Sequence, residues 1–463
     1  MSLTHEEMLA TLGTRDPANN GKFIIGVLST GIYCLPSCHA RTPKPENVRF
    51  FRSGAEAEAA GLRPCKKCRP DEYERGENRE LEALEDLANR VRLFPADFTN
   101  SSNLADGLGV GSTKLNALFR LHYQTTPSDF LTDARIRAAK SKLVNTDVGI
   151  AEIAYDVGYE SLSVFNDNFK RRTGLTPSKY RTLPTDTEFA FELPLGYHLG
   201  SFVQTYSRDP MSPTERFRGS HARIVTPNAT VVQVEFAPTV RVRVERGTGV
   251  EGYEALARIM NFNQDAKGFE GLAQGLGFAH LVGGRTGARV PQTLSLLDGL
   301  IWAIAGQQIN LPFAFALRQR LFSKYGEPLG DEMYSVPTSE RLAEADPADL
   351  RALQFSRQKA DYLAGIARLG EGWMQEVENA SFTRAKAIIL ATRGFGVWSS
   401  NYILMRALGF ADCVPLGDTG LTAGLASFHS LESKPTLGEI EELMMQFAPY
   451  RSLATYHLWQ SLK

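Results

Sequence analysis

The spacing of four cysteines constrains this chain more than any other feature. "GIYCLPSCHARTP", residues 31–43, carries Cys34 and Cys38, and "LRPCKKCRP" carries Cys65 and Cys68. The pattern is C-x3-C, a gap of 26 residues, then C-x2-C. Two short clusters joined by a longer loop supply the four ligands of a tetrahedral zinc site, so Zn2+ is the expected cofactor. Any fold must then bring two distant segments within one ion's reach. His39 is a spare ligand, but four thiols already fill the shell. Disulfides are the alternative. The first residues, "MSLTHEEMLATLG", have neither a basic nor an apolar leader region, so a reducing cytoplasmic setting is expected, where paired cysteines are more often metal ligands. The fifth cysteine, Cys413, reads as an ordinary buried thiol.

At 463 residues the chain exceeds one core, and roughly two to four domains are expected. Apolar content of 43% and charged content of 22% are those of a globular protein. No apolar run reaches the length of a membrane span, so no membrane partner is expected. The formal charge of −1 gives no global signature of a nucleic-acid binder, and any basic surface must be local. Such a surface surrounds the cysteines: Arg41, Lys44, Arg49, Arg52, Arg63, Lys66, Lys67 and Arg69. Basic side chains beside a thiolate-rich metal suggest a phosphate partner. Zinc held by four thiolates carries a formal charge of −2, and its thiolates stay deprotonated and nucleophilic.

Residues 8–72 resemble the N-terminal domain of the Ada DNA-repair methyltransferases through "RDPANNGKFIIGVLSTGIYCLPSCHAR", "ENVRFF" and "AAGLRPCKKCRPDE". The resemblance implies that Cys34 is both methyl acceptor and zinc ligand. Cys38, Cys65 and Cys68 would complete the site. Arg41 would lie near a DNA phosphate, with Lys66 and Lys67 as further DNA contacts. Methylation turns a thiolate into a neutral thioether, so repulsion of DNA should fall and affinity rise. Members of that family usually continue into a second methyltransferase domain with a Pro-Cys-His-Arg site. None occurs here, so reversal of O6-alkylguanine is not expected.

After "PDEYERGENRELEALEDL" a repeat begins. Residues 103–127 and 152–177 each hold an apolar helix, a turn glycine (Gly109, Gly158), a second apolar-periodic helix and a closing Thr-Pro. Two short helices around a glycine turn match a helix-turn-helix, and the period of about fifty residues implies duplication. A plain helical bundle would share the periodicity. The repeat and "FKRRTGLTPSKYR" resemble the AraC-type DNA-binding domain. That likeness implies Ser112–Phe119 and Ser161–Lys170 as reading helices. Thr113, Lys114, Asn116, Ser161 and Asn166 would reach base edges, and Lys170, Arg171 and Arg172 would meet phosphates.

From about residue 186, "TVVQVEFAPTVRVRVER" alternates as strands do, and "SFVQTYSRDP" and "HARIVTP" are shorter strand candidates. Past residue 290 the pattern is helical. In "IILATRGFGVWSSNYILMRALGFADCVPLGDTGL" a helix runs into Gly394-Phe395-Gly396 and another follows. Glycines there let backbone approach a phosphate, and the next helix N-terminus can point amides at it. Asp418, some twenty residues on, reads by itself as a helix N-cap before "TGLTAGLASF".

Residues 188–462 resemble the AlkA-type 3-methyladenine DNA glycosylases, most strongly in "GLIWAIAGQQIN", "RGFGVWSSNYILMRALG" and "PYRSLATYHLWQSL". The resemblance implies that Asp418 is the catalytic carboxylate acting on a flipped base. Trp398, Tyr402 and Trp459 would form an aromatic pocket for cationic purines, although core packing is their bland reading. Gly394 and Gly396 would hold the backbone. Gln308 stands where the best-known member has a leucine wedge, and Thr419 where it has a tyrosine. A pocket phenylalanine has no clear counterpart, with Phe202 nearby. Bifunctional relatives carry a lysine where Trp398 stands, so a monofunctional enzyme that uses water is expected.

The expected fold class is multidomain α+β. The expected domains are an Ada-type zinc domain (1–78), an AraC-type tandem helix-turn-helix domain (79–183), an AlkA-type α+β domain (184–288) and an all-α helix-hairpin-helix glycosylase domain (289–463). The expected partner is double-stranded DNA, both alkylated sites and a promoter, with RNA polymerase implied by analogy. The rival reading is a zinc-containing transcription regulator whose glycosylase fold is inactive.

Overall fold

A computed structural model describes residues 3–16, 19–74 and 78–462. Residues 17 and 18 of the first zinc-domain motif, and 75–77 of the acidic stretch, lie outside the described residues. The chain forms two compact units, Met1–Asp86 and Leu87–Lys463, and the boundary falls inside the helix Arg79–Leu93.

The first unit is built on a four-stranded sheet in the order Val48–Phe51, Ile24–Val27, Ile32–Cys34, Arg63–Pro64. Ile24–Val27 pairs antiparallel with both Ile32–Cys34 and Val48–Phe51. The last strand runs parallel to Ile32–Cys34, with Tyr33 opposite Pro64. That register explains the meeting of the two cysteine clusters. Cys34 and Cys65 each follow one member of the pair, and the Cys65 amide donates to the Tyr33 carbonyl at 2.9 Å. Ile24, Tyr33, Leu35, Phe51, Ala57 and Leu62 form the small core beneath.

The second unit opens with the tandem repeat. Helices Ser101–Leu108 and Ser112–His122 form one pair, and Ile150–Asp156 and Leu162–Thr173 the other. The long helix Pro127–Asn145 joins them. Each closing Thr-Pro starts the next helix. The Thr126 and Thr176 hydroxyls accept from the amides of Asp129 and Lys179, and Pro127 and Pro177 occupy the first turn, where no amide is needed.

A five-stranded antiparallel sheet follows, ordered Glu188–Glu192, Thr239–Arg246, Val231–Glu235, His221–Val225, Glu215–Arg218. In Thr239–Arg246, Val240 and Val242 are buried and Arg241 and Arg243 exposed, as alternation requires. The expected strand at "SFVQTYSRDP" is instead the helix Leu199–Tyr206. Its β-branched and aromatic residues suggest a strand, but Phe202 and Tyr206 are four apart and meet with ring centroids 5.1 Å apart. The remainder is helical through Arg451–Ser461, apart from a short bridge between Pro328 and Tyr334.

One apolar core joins the second helix pair to this α+β layer and the helices beyond, from Ile136, Phe165 and Phe169 through Phe191 and Tyr253 to Leu458. The seam is tight at Gly174. A Cβ there would lie 2.1 Å from the Glu192 carbonyl oxygen, and φ is +69°. The Glu192 amide donates to the Gly174 carbonyl at 3.0 Å, and the Tyr253 hydroxyl to the Thr173 carbonyl at 2.7 Å. Gly174→Ala is expected to destabilise the second unit by about 2 kcal/mol or more, since it adds backbone strain to a steric clash. Denaturant unfolding followed by tryptophan emission checks this, because all four tryptophans lie in that unit.

Candidate functional site

The four cysteines converge. Their sulfurs all lie within 4.8 Å of one another, and Cys38 Sγ and Cys65 Sγ are 4.0 Å apart. A tetrahedron with Zn–S bonds of about 2.3 Å has edges of about 3.8 Å, so the donor set fits zinc. The amides of Leu35 and Ala40 reach Cys68 Sγ and Cys38 Sγ, each at 3.4 Å, and offset part of the thiolate charge. With sulfur alone, sharing a hydrogen with Cys68, burial, and repulsion from the other thiolates push the Cys34 thiol far up. A divalent cation removes that penalty, and the four thiols form a zinc site.

Cys34, Cys38 and Cys65 line a cleft of about 240 Å³ that also contains Arg15 and Arg41. Cys34 is 8% exposed, so what reaches it must enter this cleft. Arg41 thus shares the space in front of the acceptor candidate. Lys66 is exposed, whereas Lys67 donates to the His39 carbonyl at 2.8 Å.

The two segments expected to read DNA are helices, Ser112–His122 and Leu162–Thr173. Thr113, Lys114 and Asn116 are exposed on Ser112–His122, and Asn116 Nδ2 donates to the Ser112 carbonyl at 3.0 Å. Ser161 caps Leu162–Thr173, and Asn166 is half-buried. One of the three basic residues after it departs from its expected phosphate role. Arg172 is drawn inward, its side chain 13% exposed and ion-paired with Asp129 and Asp133, because two carboxylates of the joining helix face it. Lys170 pairs with Glu192 at 3.0 Å, across the seam to the sheet. Arg171 remains exposed, held by Asn168 on its own helix.

The second constellation surrounds Asp418. Helix Phe382–Ala391 leads into the hairpin and helix Val397–Arg406 leaves it. Gly394 has φ +107°, and a Cβ there would lie 2.6 Å from the Tyr362 ring, so its role is steric. A Cβ on Gly396 would meet nothing within 4 Å, which leaves that backbone open to a ligand at the helix N-terminus. Gln307 Nε2 donates to the Gly394 carbonyl at 2.8 Å and ties the hairpin to the loop carrying Gln308. Gln308 is exposed and sits at φ +54°, a left-handed conformation uncommon outside glycine.

Asp418 is the N-cap of helix Thr419–Phe428, as its bland reading required, and it is more than a cap. Its Oδ1 accepts from the Leu421 amide at 2.7 Å and from Trp459 Nε1 at 2.9 Å, and its Oδ2 accepts from Trp398 Nε1 at 3.2 Å. A carboxylate has about four acceptor positions. Three are filled by donors that fix its plane, which leaves one on Oδ2 among the described residues. Trp398 stacks on Tyr402, with centroids 5.4 Å apart and planes at 23°. The three expected aromatics thus gather about one carboxylate. Phe202 belongs to the core instead, 1% exposed among Tyr206, Phe217 and Phe236. Missed in the sequence was Lys359, buried, whose Nζ donates to the Ala305 carbonyl at 2.8 Å at the end of the helix preceding Gln308. Its place in "SRQKADYL" gives no local sign of that contact.

Comparison with known proteins agrees with this geometry. Residues 7–71 match the metal binding domain of Ada, 104–182 a helix-turn-helix domain, and 301–449 the HhH-GPD superfamily of base excision DNA repair proteins. "Probable bifunctional transcriptional activator/DNA repair enzyme AlkA" of Mycobacterium tuberculosis is 27% identical across 99% of this chain and 96% of its own. "Bifunctional transcriptional activator/DNA repair enzyme AdaA" of Bacillus subtilis is 32% identical over 39% of this chain and 84% of its own. The solved 3-methyladenine DNA glycosylase of Archaeoglobus fulgidus shares the fold, at a TM-score of 0.53 and 19% identity over 59% of this chain and 97% of that one. The chain belongs to the Ada family of bifunctional transcriptional activators and DNA repair enzymes, with an HhH-GPD base excision repair domain following its zinc and helix-turn-helix domains.

Proposed function

We propose that the protein responds to DNA alkylation with two chemistries. One is stoichiometric methyl transfer from a methylphosphotriester to Cys34. The other is hydrolytic excision of 3-methyladenine and related bases at Asp418. Its partner is double-stranded DNA, its setting the cytoplasm, and its four domains divide as 1–78, 79–183, 184–288 and 289–463. A promoter is read by Ser112–Phe119 and Ser161–Lys170, with RNA polymerase as the second partner of an activator so built.

The observation that carries the reading is Asp418, oriented by two indole N–H groups and a backbone amide with one acceptor position left over. As the bond from C1′ to the base nitrogen breaks, positive charge grows on the sugar. A fixed carboxylate stabilises that charge without reorganising, and water adds to C1′. Trp398 carries no amine, so no Schiff base forms and an abasic site is left. Gln308 enters the gap of the duplex, while the backbone at Gly394 and Gly396 holds a phosphate.

At the other site the Cys34 sulfur attacks the methyl carbon of a neutral triester. The S–C bond forms, the methyl C–O bond breaks, and the phosphodiester anion leaves. Bound zinc keeps that sulfur a thiolate at neutral pH. Arg41 in the same cleft attracts the neighbouring phosphates. The centre goes from −2 to −1 formal charge, so DNA affinity rises most at low salt.

Two measurements test this. Incubation with methylphosphotriester DNA is expected to add one methyl mass to Cys34, and Cys34→Ser to take up none; a wild type without mass gain removes the transferase. Asp418→Asn is expected to slow 3-methyladenine release by about 100-fold or more, on the scale of lost transition-state electrostatics. Trp459→Phe keeps the ring but loses one donor to a charged acceptor, and is expected to cost about tenfold. Release by Asp418→Asn at the wild-type rate would remove Asp418 from the mechanism, whereas no release by the wild type would favour the rival regulator with an inactive fold.

A further inference from the structure

Gln308 is exposed, yet its backbone sits at φ +54°, a conformation that a residue with a Cβ keeps only where its surroundings impose it. The neighbouring loop residues are each anchored. A Cβ on Gly306 would lie 3.2 Å from the Trp302 carbonyl oxygen and 3.8 Å from Trp398 Cη2, so the loop begins against the indole that donates to Asp418. Gln307 Nε2 reaches the Gly394 carbonyl at 2.8 Å. Ile309 packs on the core, and Asn310 caps the next helix, Leu311–Tyr325.

The remaining anchor is Lys359. Its Nζ donates at 2.8 Å to the carbonyl of Ala305, the last residue of helix Leu296–Ala305 and the one from which the loop departs. Lys359 is 9% exposed, and among the described residues no carboxylate pairs with it. The position is unfavourable for a cation on two counts. Burial disfavours the ammonium and lowers its pKa. The residue also lies in the first turn of helix Arg357–Asn379, where acidic side chains are preferred. A methionine would fill similar space without either penalty. What the ammonium adds is a charged donor to the carbonyl at which helix gives way to loop. One turn on, the Tyr362 ring lies against Gly394, so the same helix start touches both the loop and the hairpin.

We infer that Lys359 is a positioning residue for duplex opening: by holding the Ala305 carbonyl it fixes the loop that presents Gln308 to the gap left by a flipped base. The inference rests on the excision reading above, with Gln308 as the wedge, and adds what aims that wedge. Lys359 touches neither the base nor the sugar. It acts on the extrusion of a paired lesion and not on bond cleavage, which belongs to Asp418. The distinction can be measured, because only a paired lesion leaves a gap. When a bulged nucleotide turns outward, the flanking pairs stack on each other and no wedge is needed.

The experiment is single-turnover excision of 7-methylguanine from two duplexes, one with the lesion paired to cytosine and one with it in a single-nucleotide bulge. The readout is the ratio of paired to bulged rates, which is independent of the folded fraction of a preparation. Lys359→Met is expected to lower that ratio by about tenfold or more, the scale of a displaced positioning group. In a Gln308→Ala background the same change is expected to lower it no further, because the two act as one unit. A wild-type ratio in Lys359→Met, whether both rates fall or neither does, overturns the inference, and so does a further fall in the Gln308→Ala background. Lys359→Gln serves if the methionine variant fails to fold. Failure of both to fold also overturns it, since Lys359 would then be a structural residue. Two results identify a failure of the underlying reading without any Lys359 variant. A ratio unchanged by Gln308→Ala removes the wedge, and release of neither lesion by the wild type removes excision itself.

Discussion

The common core of the second unit is the constraint from which the rest follows. Phe165 and Phe169 of the second helix pair are fully buried in the same cluster as Phe191 of the sheet and Tyr253 of helix Gly249–Ile259. Each buried phenylalanine contributes about 1.5–3 kcal/mol, so this seam is worth far more than a surface contact between domains. Polar bonds fix its register. Lys140 Nζ and the Tyr180 hydroxyl both reach Glu254 Oε1, at 3.0 and 2.6 Å. Helix Ser112–His122 is fixed from the other end, where His122 Nδ1 meets Thr383 Oγ1 at 2.8 Å on the helix leading into the hairpin. Gln124 Oε1 accepts from the Asp412 amide at 2.8 Å close by. The helix-turn-helix repeat and the hairpin are therefore parts of one packed body.

Asp418 is held by more than its place as a helix cap requires. Capping alone would need only the Leu421 amide. Two indoles from helices distant in sequence, Val397–Arg406 and Arg451–Ser461, supply the additional donors. A Cβ on Gly420 would lie 3.0 Å from Trp459 Cδ1, so that position keeps the indole free to approach the carboxylate. A carboxylate constrained on three sides has little orientational entropy left to lose, which is the condition for electrostatic preorganisation.

What could be read from the sequence was what local pattern encodes. The cysteine spacing announced zinc, the glycine turns and Thr-Pro caps announced the repeat, and Gly394–Gly396 with Asp418 announced the hairpin. Features set by distant partners were not visible. Leu199–Tyr206 has strand-like residues, yet the aromatic layer of Phe217 and Phe236 selects the helical face of Phe202 and Tyr206. Arg172 sits in a basic run, and only the fold reveals that Asp129 and Asp133 claim it. The buried pairing of Arg318 with Asp298 and Glu215 joins three separate segments, and no spacing in the sequence links them.

The packing also bears on how sensing could reach transcription. If methyl transfer changes the charge of the zinc centre, that change needs no chain of repacked side chains to reach the reading helices. Both bind the same polyanion, and a less negative centre raises the effective concentration of DNA at the readers. The reading helices and the hairpin differ from this, because they share a core. Linkage requires that any strengthening of operator binding by lesion engagement be returned in equal measure to lesion binding. A charge switch of that kind would be graded by salt, whereas coupling through the core would be set by packing and largely independent of it.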